Sequence, residues 1–162
     1  MIYSKSNPVY EDAWIHRLLV SMEKDLLSAW SVATGTCKFF GRCEKVINNE
    51  VEKEVFYSSG KYIDVYTDDK MNFTSYVSIN GEMRYENKLR KLPAQLVCQA
   101  NLQVLYPSIA HRADAELRQA IERVLLKHVE PIDYRGFTII DQNEYVNMQP
   151  FHTVKFNFDI SV

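Results

Sequence analysis

The chain has 162 residues, of which 46% are hydrophobic and 25% charged, and its formal net charge is −2. This composition is typical of a soluble globular protein and predicts a single domain over residues 1–162. The near-neutral charge argues against a general nucleic-acid-binding protein, because that class usually carries a basic excess. The first residues lack the apolar segment of a secretion signal, and no apolar run has the length of a transmembrane helix, so we expect no contact with a membrane.

A long amphipathic helix is predicted near the N-terminus, from Pro8 to Ser31. Asn7 is a candidate N-cap, and Pro8 fits the first helical position. Apolar side chains recur at steps of three and four residues, at Trp14, Ile15, Leu18, Leu19, Met22, Leu26 and Trp30. Because the opposite face mixes acidic and basic residues, the pattern favours packing on a sheet over binding to a membrane surface.

The middle of the chain, about residues 45–92, is predicted to leave the core as an arm or β-hairpin excursion. This segment has fewer large aliphatic residues and more aromatic and charged ones than the rest of the chain. Residues 45–53 indicate a turn or an exposed ribbon. Strands are predicted at 36–43, 54–57, 62–66 and 73–79, and turns at 58–61, 67–70 and 80–81.

Residues 94–162 predict the order strand, helix, strand, strand. Alternation predicts strands from Leu96 to Tyr106, from Phe137 to Val146 and from Val154 to Val162, with Tyr134-Arg135-Gly136 as an interruption. Helical spacing runs from Ala113 to Leu125. The chain is therefore predicted to be α+β, with a mostly antiparallel sheet and both helices packed on one face.

No set of residues has the spacing of a catalytic, cofactor or metal centre. The histidines are widely separated, at His16, His111, His128 and His152, and are interpreted as solvated or capping side chains. Asp68, Asp69 and Lys70 indicate a solvated turn, because no third acidic ligand lies near them. Ser58-Ser59-Gly60-Lys61 lacks the complete phosphate-loop motif. We therefore expect no enzyme activity, no metal and no cofactor.

The cysteines indicate structural thiols. Cys37 and Cys43 lie six residues apart on one predicted strand, so we expect them on the same side of it. Cys98 alternates with the apolar residues of its own strand. An odd number without paired spacing predicts buried, reduced thiols of a protein made in a cytosol.

Aromatic residues of the middle third form the candidate interface. They are Tyr57, Tyr62, Tyr66, Phe73 and Tyr76. Aromatic side chains with interleaved lysines can stack on single-stranded nucleic acid, but the acidic residues of the same region oppose phosphate. A protein–protein surface is favoured, because aromatic anchors concentrate at such surfaces.

The order of elements resembles that of the tail-terminator and neck-ring proteins of tailed bacteriophages. The matching segments are Tyr10 to Trp30, Gln95 to Val104, Ala113 to Lys127 and Val154 to Ile160. Residues 54–70 are similar to segments of structural proteins from phages of Bacteroidales, including the crAss-like group.

The resemblance implies a virion structural protein, made in the cytoplasm of a bacterial host, that forms a homo-oligomeric ring at the head–tail junction or tail end. Portal, neck or tail proteins are the implied partners, and DNA would pass only as cargo. The family has no catalytic residues. Tail terminator, neck ring and tail-hub adaptor all stay open.

Two other functions are compatible with the sequence. The first is a small cytosolic enzyme or ligand-binding domain, with a site built from scattered residues such as His111, Asp141 and Glu144. A concave, largely apolar pocket with convergent polar groups would favour it. The second is a regulatory adaptor that acts as a dimer.

Overall fold

The computed structural model describes residues 1–65, 68, 70–128, 132–139 and 151–161. Helices α1, α2 and α3 span Glu11–Trp30, Leu102–Leu105 and Asp114–Leu126, with 3-10 turns at Thr34–Thr36 and Ala110–Arg112. Strands β1 to β9 span Ile2–Tyr3, Cys37–Asn48, Val51–Ser58, Lys61–Asp64, Phe73–Ile79, Arg84–Glu86, Leu89–Asn101, Ile132–Ile139 and Phe151–Ser161. The predicted α+β class is confirmed. No helix within these ranges is long and apolar enough to cross a membrane.

The strands within the described ranges form one mixed, mostly antiparallel sheet. Its order is β4-β3-β2-β5-β7-β9-β8, with β1 beside β2 and β6 beside β7. The pairs β1–β2 and β2–β5 are parallel, and the other pairs are antiparallel. The final strand β9 lies between β7 and β8. Its alternating residues Val154, Phe156, Phe158 and Ile160 are buried, as predicted.

Both long helices contribute to one apolar core on the same face of this sheet. The stripe of α1 buries Ile15, Leu18, Leu19, Met22 and Leu26, and that of α3 buries Leu117, Ile121, Val124 and Leu125. They join apolar strand residues that include Phe39, Phe73, Leu96, Phe156 and Phe158. The predicted packing of two helices on one face of the sheet is confirmed.

The first helix begins later than predicted, at Glu11. Asn7 has a positive φ of 52° and does not cap the helix. Tyr10 precedes α1 with no side-chain cap, and Glu11 and Asp12 occupy the first turn instead. Their carboxylates lie near the positive end of the helix dipole, which stabilises this start.

The strand predicted to reach Tyr106 ends at Asn101. The Asn101 side chain accepts a hydrogen bond from Val104 N at 3.3 Å and so caps the short helix α2. Leu102 and Leu105, three residues apart, are both buried. In a strand these two side chains would lie on opposite faces, whereas the three-residue step of a helix places them on one face. The strand was predicted because Leu102, Val104 and Tyr106 also alternate in this stretch.

The predicted interruption at Tyr134-Arg135-Gly136 is a bulge inside β8. The register with β9 shifts between Tyr134 and Gly136, and Gly136 has a φ of 108°. Glycine adopts this backbone conformation without a steric penalty, so the strand bends and continues. The rest of the predicted penultimate strand, 140–146, lies outside the described residues.

Residues 45–92 are not one excursion, which corrects the prediction. Strand β5 lies in the middle of the sheet between β2 and β7, and Phe73 and Val77 belong to the main core. Both faces of β5 are covered, so its sequence lacks clean alternation. Among its described residues, the ends of the β2–β3 and β6–β7 hairpins extend beyond the central strands, in agreement with a mid-chain hairpin.

A second apolar cluster lies on the sheet face opposite the helices. It contains Phe40, Cys43, Phe56, Val65, Tyr76 and Val97. The register between β2 and β5 shifts by one residue between Phe39 and Arg42. This bulge moves Cys43 into the second cluster, whereas Cys37 lies in the main core. The expectation that these cysteines share one side of the strand is therefore wrong.

Candidate interaction surface

The predicted aromatic interface divides into exposed and buried residues. Tyr57 and Tyr62 are paired across β3 and β4, with ring centroids 5.0 Å apart, and are 41% and 61% exposed. Phe73 is fully buried and Tyr76 is 8% exposed, because β5 is a central strand. These two are core residues and not part of an exposed surface. Tyr66 lies outside the described residues.

The exposed tyrosine pair belongs to a tight hairpin at one edge of the sheet. Ser58 pairs with Lys61, and the two residues between them, Ser59 and Gly60, have φ values of 53° and 79°. Two positive values match the turn that suits the twist of antiparallel strands. Among the described strands β4 has no second neighbour, so it presents unpaired backbone groups beside Tyr62.

A second hairpin, formed by the ends of β2 and β3, projects from the sheet. We call residues 44–54 the acidic hairpin, because four glutamates oppose two lysines there. Its turn is Asn49-Glu50, and Ile47 and Val51 are 80% and 55% exposed. Lys45 and Glu52 form an ion pair at 2.7 Å, and this hydrogen bond raises the pKa of Lys45.

A third hairpin joins β6 to β7. We call residues 83–91 the basic hairpin, because Arg84, Lys88, Arg90 and Lys91 oppose the single acidic residue Glu86. Its turn is Asn87-Lys88. Tyr85 and Leu89 are 75% and 50% exposed, so the hairpin presents two large apolar side chains to solvent.

Ion pairs fix the base of the basic hairpin to the sheet. Arg84 Nη2 donates to Asp159 Oδ2 at 2.8 Å, and Asp159 is 1% exposed. Lys91 Nζ lies 3.1 Å from Asp133 and 3.2 Å from Glu86, and hydrogen bonds to these carboxylates, Asp133 first, raise the pKa of Lys91. Among the described residues Lys88 has no carboxylate partner, so the end of the hairpin keeps its positive charge.

The acidic and basic hairpins extend past the same end of β5. Strand β2 continues beyond Cys43, which pairs with Ser78, and β7 begins before Ala94, which pairs with Ile79. A groove of about 460 Å³ lies between their bases. Its lining includes Arg42, Glu44, Lys45, Ser78, Ile79, Met83 and Leu92.

The groups considered for chemistry have partners of ordinary structural kinds among the described residues. No cluster of three or more potential metal ligands occurs there. His16 and His128 contact serine hydroxyls, of Ser4 at 2.9 Å and Ser21 at 3.1 Å. Asp68 pairs with Lys38 at 3.0 Å, and this hydrogen bond lowers the pKa of its carboxyl group.

The cysteines are free thiols in apolar surroundings. Cys37, Cys43 and Cys98 are all buried, and burial raises the pKa of each thiol. A reactive cysteine needs the opposite shift, toward the thiolate. The interpretation as small buried hydrophobic side chains is confirmed.

The side chains of the alternative polar site, His111, Asp141 and Glu144, lie outside the part of the chain that the structure describes. His111 lies in the 3-10 turn Ala110–Arg112, and its side chain lies outside the described part, as do Asp141 and Glu144. A cavity of about 430 Å³ instead lies beside β3, lined by Lys53, Glu54, Asp64, Val65 and Tyr76.

The exposed ribbon predicted over residues 45–53 agrees with the exposure of Ile47 and Val51, but the sequence pattern did not identify Tyr85 or Leu89 as surface residues. A signal was present in the asparagines of both turns, because asparagine tolerates a positive φ. This turn signal is weaker than that of an Asn-Gly pair. The charged residues on both sides of the turns also lack the clear alternation that predicts paired strands.

No protein-family model and no curated protein matches the sequence.

Proposed function

We propose that the protein is a bacteriophage virion structural protein that assembles into a homo-oligomeric ring at the head–tail junction or tail end. It acts by complementary surfaces and not by catalysis. The order of its elements supports this proposal through the resemblance to tail-terminator and neck-ring proteins. The virion is then its site of action, after synthesis in the host cytoplasm.

One observation carries the proposal: a well-packed domain projects two unlike hairpins that it does not use in its own core. The acidic hairpin exposes Ile47 and the basic hairpin exposes Tyr85, at 80% and 75%. Burial of such apolar side chains requires a partner surface. Two unlike surfaces on one chain suit a head-to-tail contact, which closes into a ring when the rotation between copies closes.

The tyrosine pair gives the ring a second surface. Tyr57 and Tyr62 lie on the β3–β4 hairpin, beside the edge strand β4. Tyrosine is enriched at the centres of protein interfaces, because it combines a large apolar ring with a hydroxyl group. We assign this edge to docking on an adjacent portal, neck or tail component.

The test is the native mass and particle image of the purified chain, alone and after co-expression with a portal-like protein. We expect a closed annulus in at least one of these preparations. A monomer in both, or a dimer with two-fold symmetry, would contradict the ring. Double substitution of Tyr57 and Tyr62 by serine should preserve the annulus but weaken its attachment to the portal-like protein.

A ligand-binding domain is the second candidate. The cavity beside β3 supports it, because about 430 Å³ lies within the size range of small-molecule pockets. A thermal-shift screen with the purified chain would test this candidate. A ligand that raises the melting temperature, and fails to do so after Glu54→Ala, would favour it over the ring.

A further inference from the structure

We infer that neighbouring copies of this chain contact each other hairpin to hairpin, with the acidic hairpin of one copy docked on the basic hairpin of the next. The inference deepens the proposed ring and rests on it for the head-to-tail arrangement. The occupant of each hairpin is therefore a second copy of this chain.

Charge gives the first argument. Four glutamates against two lysines leave the acidic hairpin with a charge of −2, and four basic residues against Glu86 leave the basic hairpin with +3. The whole chain has a net charge of only −2, so these opposite charges are local features. Complementary charged surfaces accelerate encounter and disfavour wrong pairings, such as acidic hairpin on acidic hairpin.

The strand register gives the second argument. Ile47 pairs with Glu52 across the acidic hairpin, so these side chains share one face of that ribbon. Tyr85 pairs with Arg90 across the basic hairpin and shares a face with it. Each hairpin thus presents one large apolar side chain beside one charged side chain, and the two charges are opposite. We assign Ile47 to the Tyr85 ring and Glu52 to Arg90 of the next copy.

The side chains that make this contact have no equivalent partner within one copy. Ile47 and Tyr85 are the most exposed large apolar residues described, at 80% and 75%. Among the described residues Arg90 has no carboxylate partner, and its Nε atom donates a hydrogen bond to the Met83 sulfur at 3.0 Å. Glu52 pairs with Lys45, but both side chains are more than half exposed, and a pair of this kind contributes little to stability.

The experiment uses charge reversal in the full chain, with Glu52→Arg as one variant and Arg90→Glu as the other. Sedimentation measures self-association of each variant, and thermal melting confirms that it is folded. We expect each variant to self-associate at least about tenfold more weakly than wild type. Matched controls are Glu116→Arg and Lys24→Glu, which reverse the same charges at exposed helical positions and should leave association unchanged.

Restoration provides the sharper readout. The double variant E52R/R90E exchanges the two charges, so the contact re-forms and homo-assembly should return. An equal mixture of the two single variants should also assemble in alternation, because each supplies the charge that the other lacks. Failure of both restorations, or single variants that assemble like the wild type, would overturn the inference.

The outcomes separate this contact from the ring itself. If the charge-reversal variants still form rings as the wild type does, the hairpin contact is overturned and the proposed ring is left intact. A closed dimer that responds to reversal and restoration would support the hairpin contact and contradict the ring. A wild-type chain that remains monomeric at about 1 mM would overturn the inference directly.

Discussion

Gly41 lies against Phe56 where β2 bulges: a Cβ atom on this glycine would meet the phenyl atom Cε2 at 3.5 Å. The carbonyl oxygen of Tyr3 would lie 3.4 Å from this added Cβ atom. The bulge turns Arg42 toward the helices, where its guanidinium group donates to Glu11 at 2.9 Å and to Asp12 at 3.1 Å. The bulge thus places Gly41 against Phe56 of the second apolar cluster and the next residue, Arg42, against the start of α1.

Substitution at Gly41 should depend on side-chain size. A methyl group makes ordinary van der Waals contacts there, so Gly41→Ala should change the free energy of unfolding little. Gly41→Ile should lower it by roughly 1–3 kcal/mol, because the added carbons overpack the space beside Phe56. Urea unfolding measures both variants. Equal stability of the two variants would show that the backbone at the bulge accommodates the larger side chain at little cost in free energy.

The final strand should respond differently on its two faces. Phe158 is fully buried in the main core, so Phe158→Asp should cost several kcal/mol by placing an unpaired charge there. Lys155 lies on the opposite face and is partly exposed, so Lys155→Ala should cost little. Similar losses of melting temperature in the two variants would mean that both faces are equally buried.

Shortening the acidic hairpin should leave the domain folded. Replacement of residues 47–52 by Asn-Gly joins Val46 directly to its paired residue Lys53 through a favoured two-residue turn. The removed side chains lie outside both apolar clusters, so the stability should change by less than about 1 kcal/mol. Phe56→Ala, lower in the same strand pair, should instead cost roughly 3–5 kcal/mol. Circular dichroism during thermal unfolding compares them.

His152 should make the fold less stable in mild acid. Burial lowers the pKa of its imidazole, and its buried Nε2 atom has no hydrogen-bond partner in the described part of the chain. The unfolded chain therefore binds the proton more readily, and stability falls as the pH drops below about 6.5 toward the lowered folded pKa. We expect the melting temperature of wild type to fall more between pH 7.5 and pH 5.5 than that of His152→Gln. If the melting temperatures of the two proteins fall equally with pH, groups other than His152 cause the acid sensitivity.

The native thiols should react slowly. Cys37, Cys43 and Cys98 are buried and their pKa values are raised, so a thiol reagent at neutral pH should modify them only after denaturation. Ile47→Cys provides an exposed thiol at the tip of the acidic hairpin and should react at once in the folded protein. Rapid reaction of the wild type would indicate frequent opening of the core.

Elements whose pattern repeats over many residues could be predicted from the amino-acid sequence. Helices α1 and α3 and strand β9 each present one apolar face, and a repeated period of 3.6 or 2 residues specifies both the element and its buried side. Composition and spacing likewise predicted the buried thiols. The Ser59-Gly60 turn was found because glycine at a positive φ is a local property of the chain.

Features that depend on long-range strand pairing could be located only in the folded chain. The parallel alignment of β2 with β5 places Phe73 in the core, although its local sequence resembles an exposed aromatic segment. The one-residue bulge beside Gly41 separates Cys37 from Cys43, because a shift of one residue in a strand moves every later side chain to the other face. The acidic and basic hairpins extend past the same end of β5 because β2 and β7 both pair with that strand, and no local pattern encodes these pairings between residues far apart in the chain.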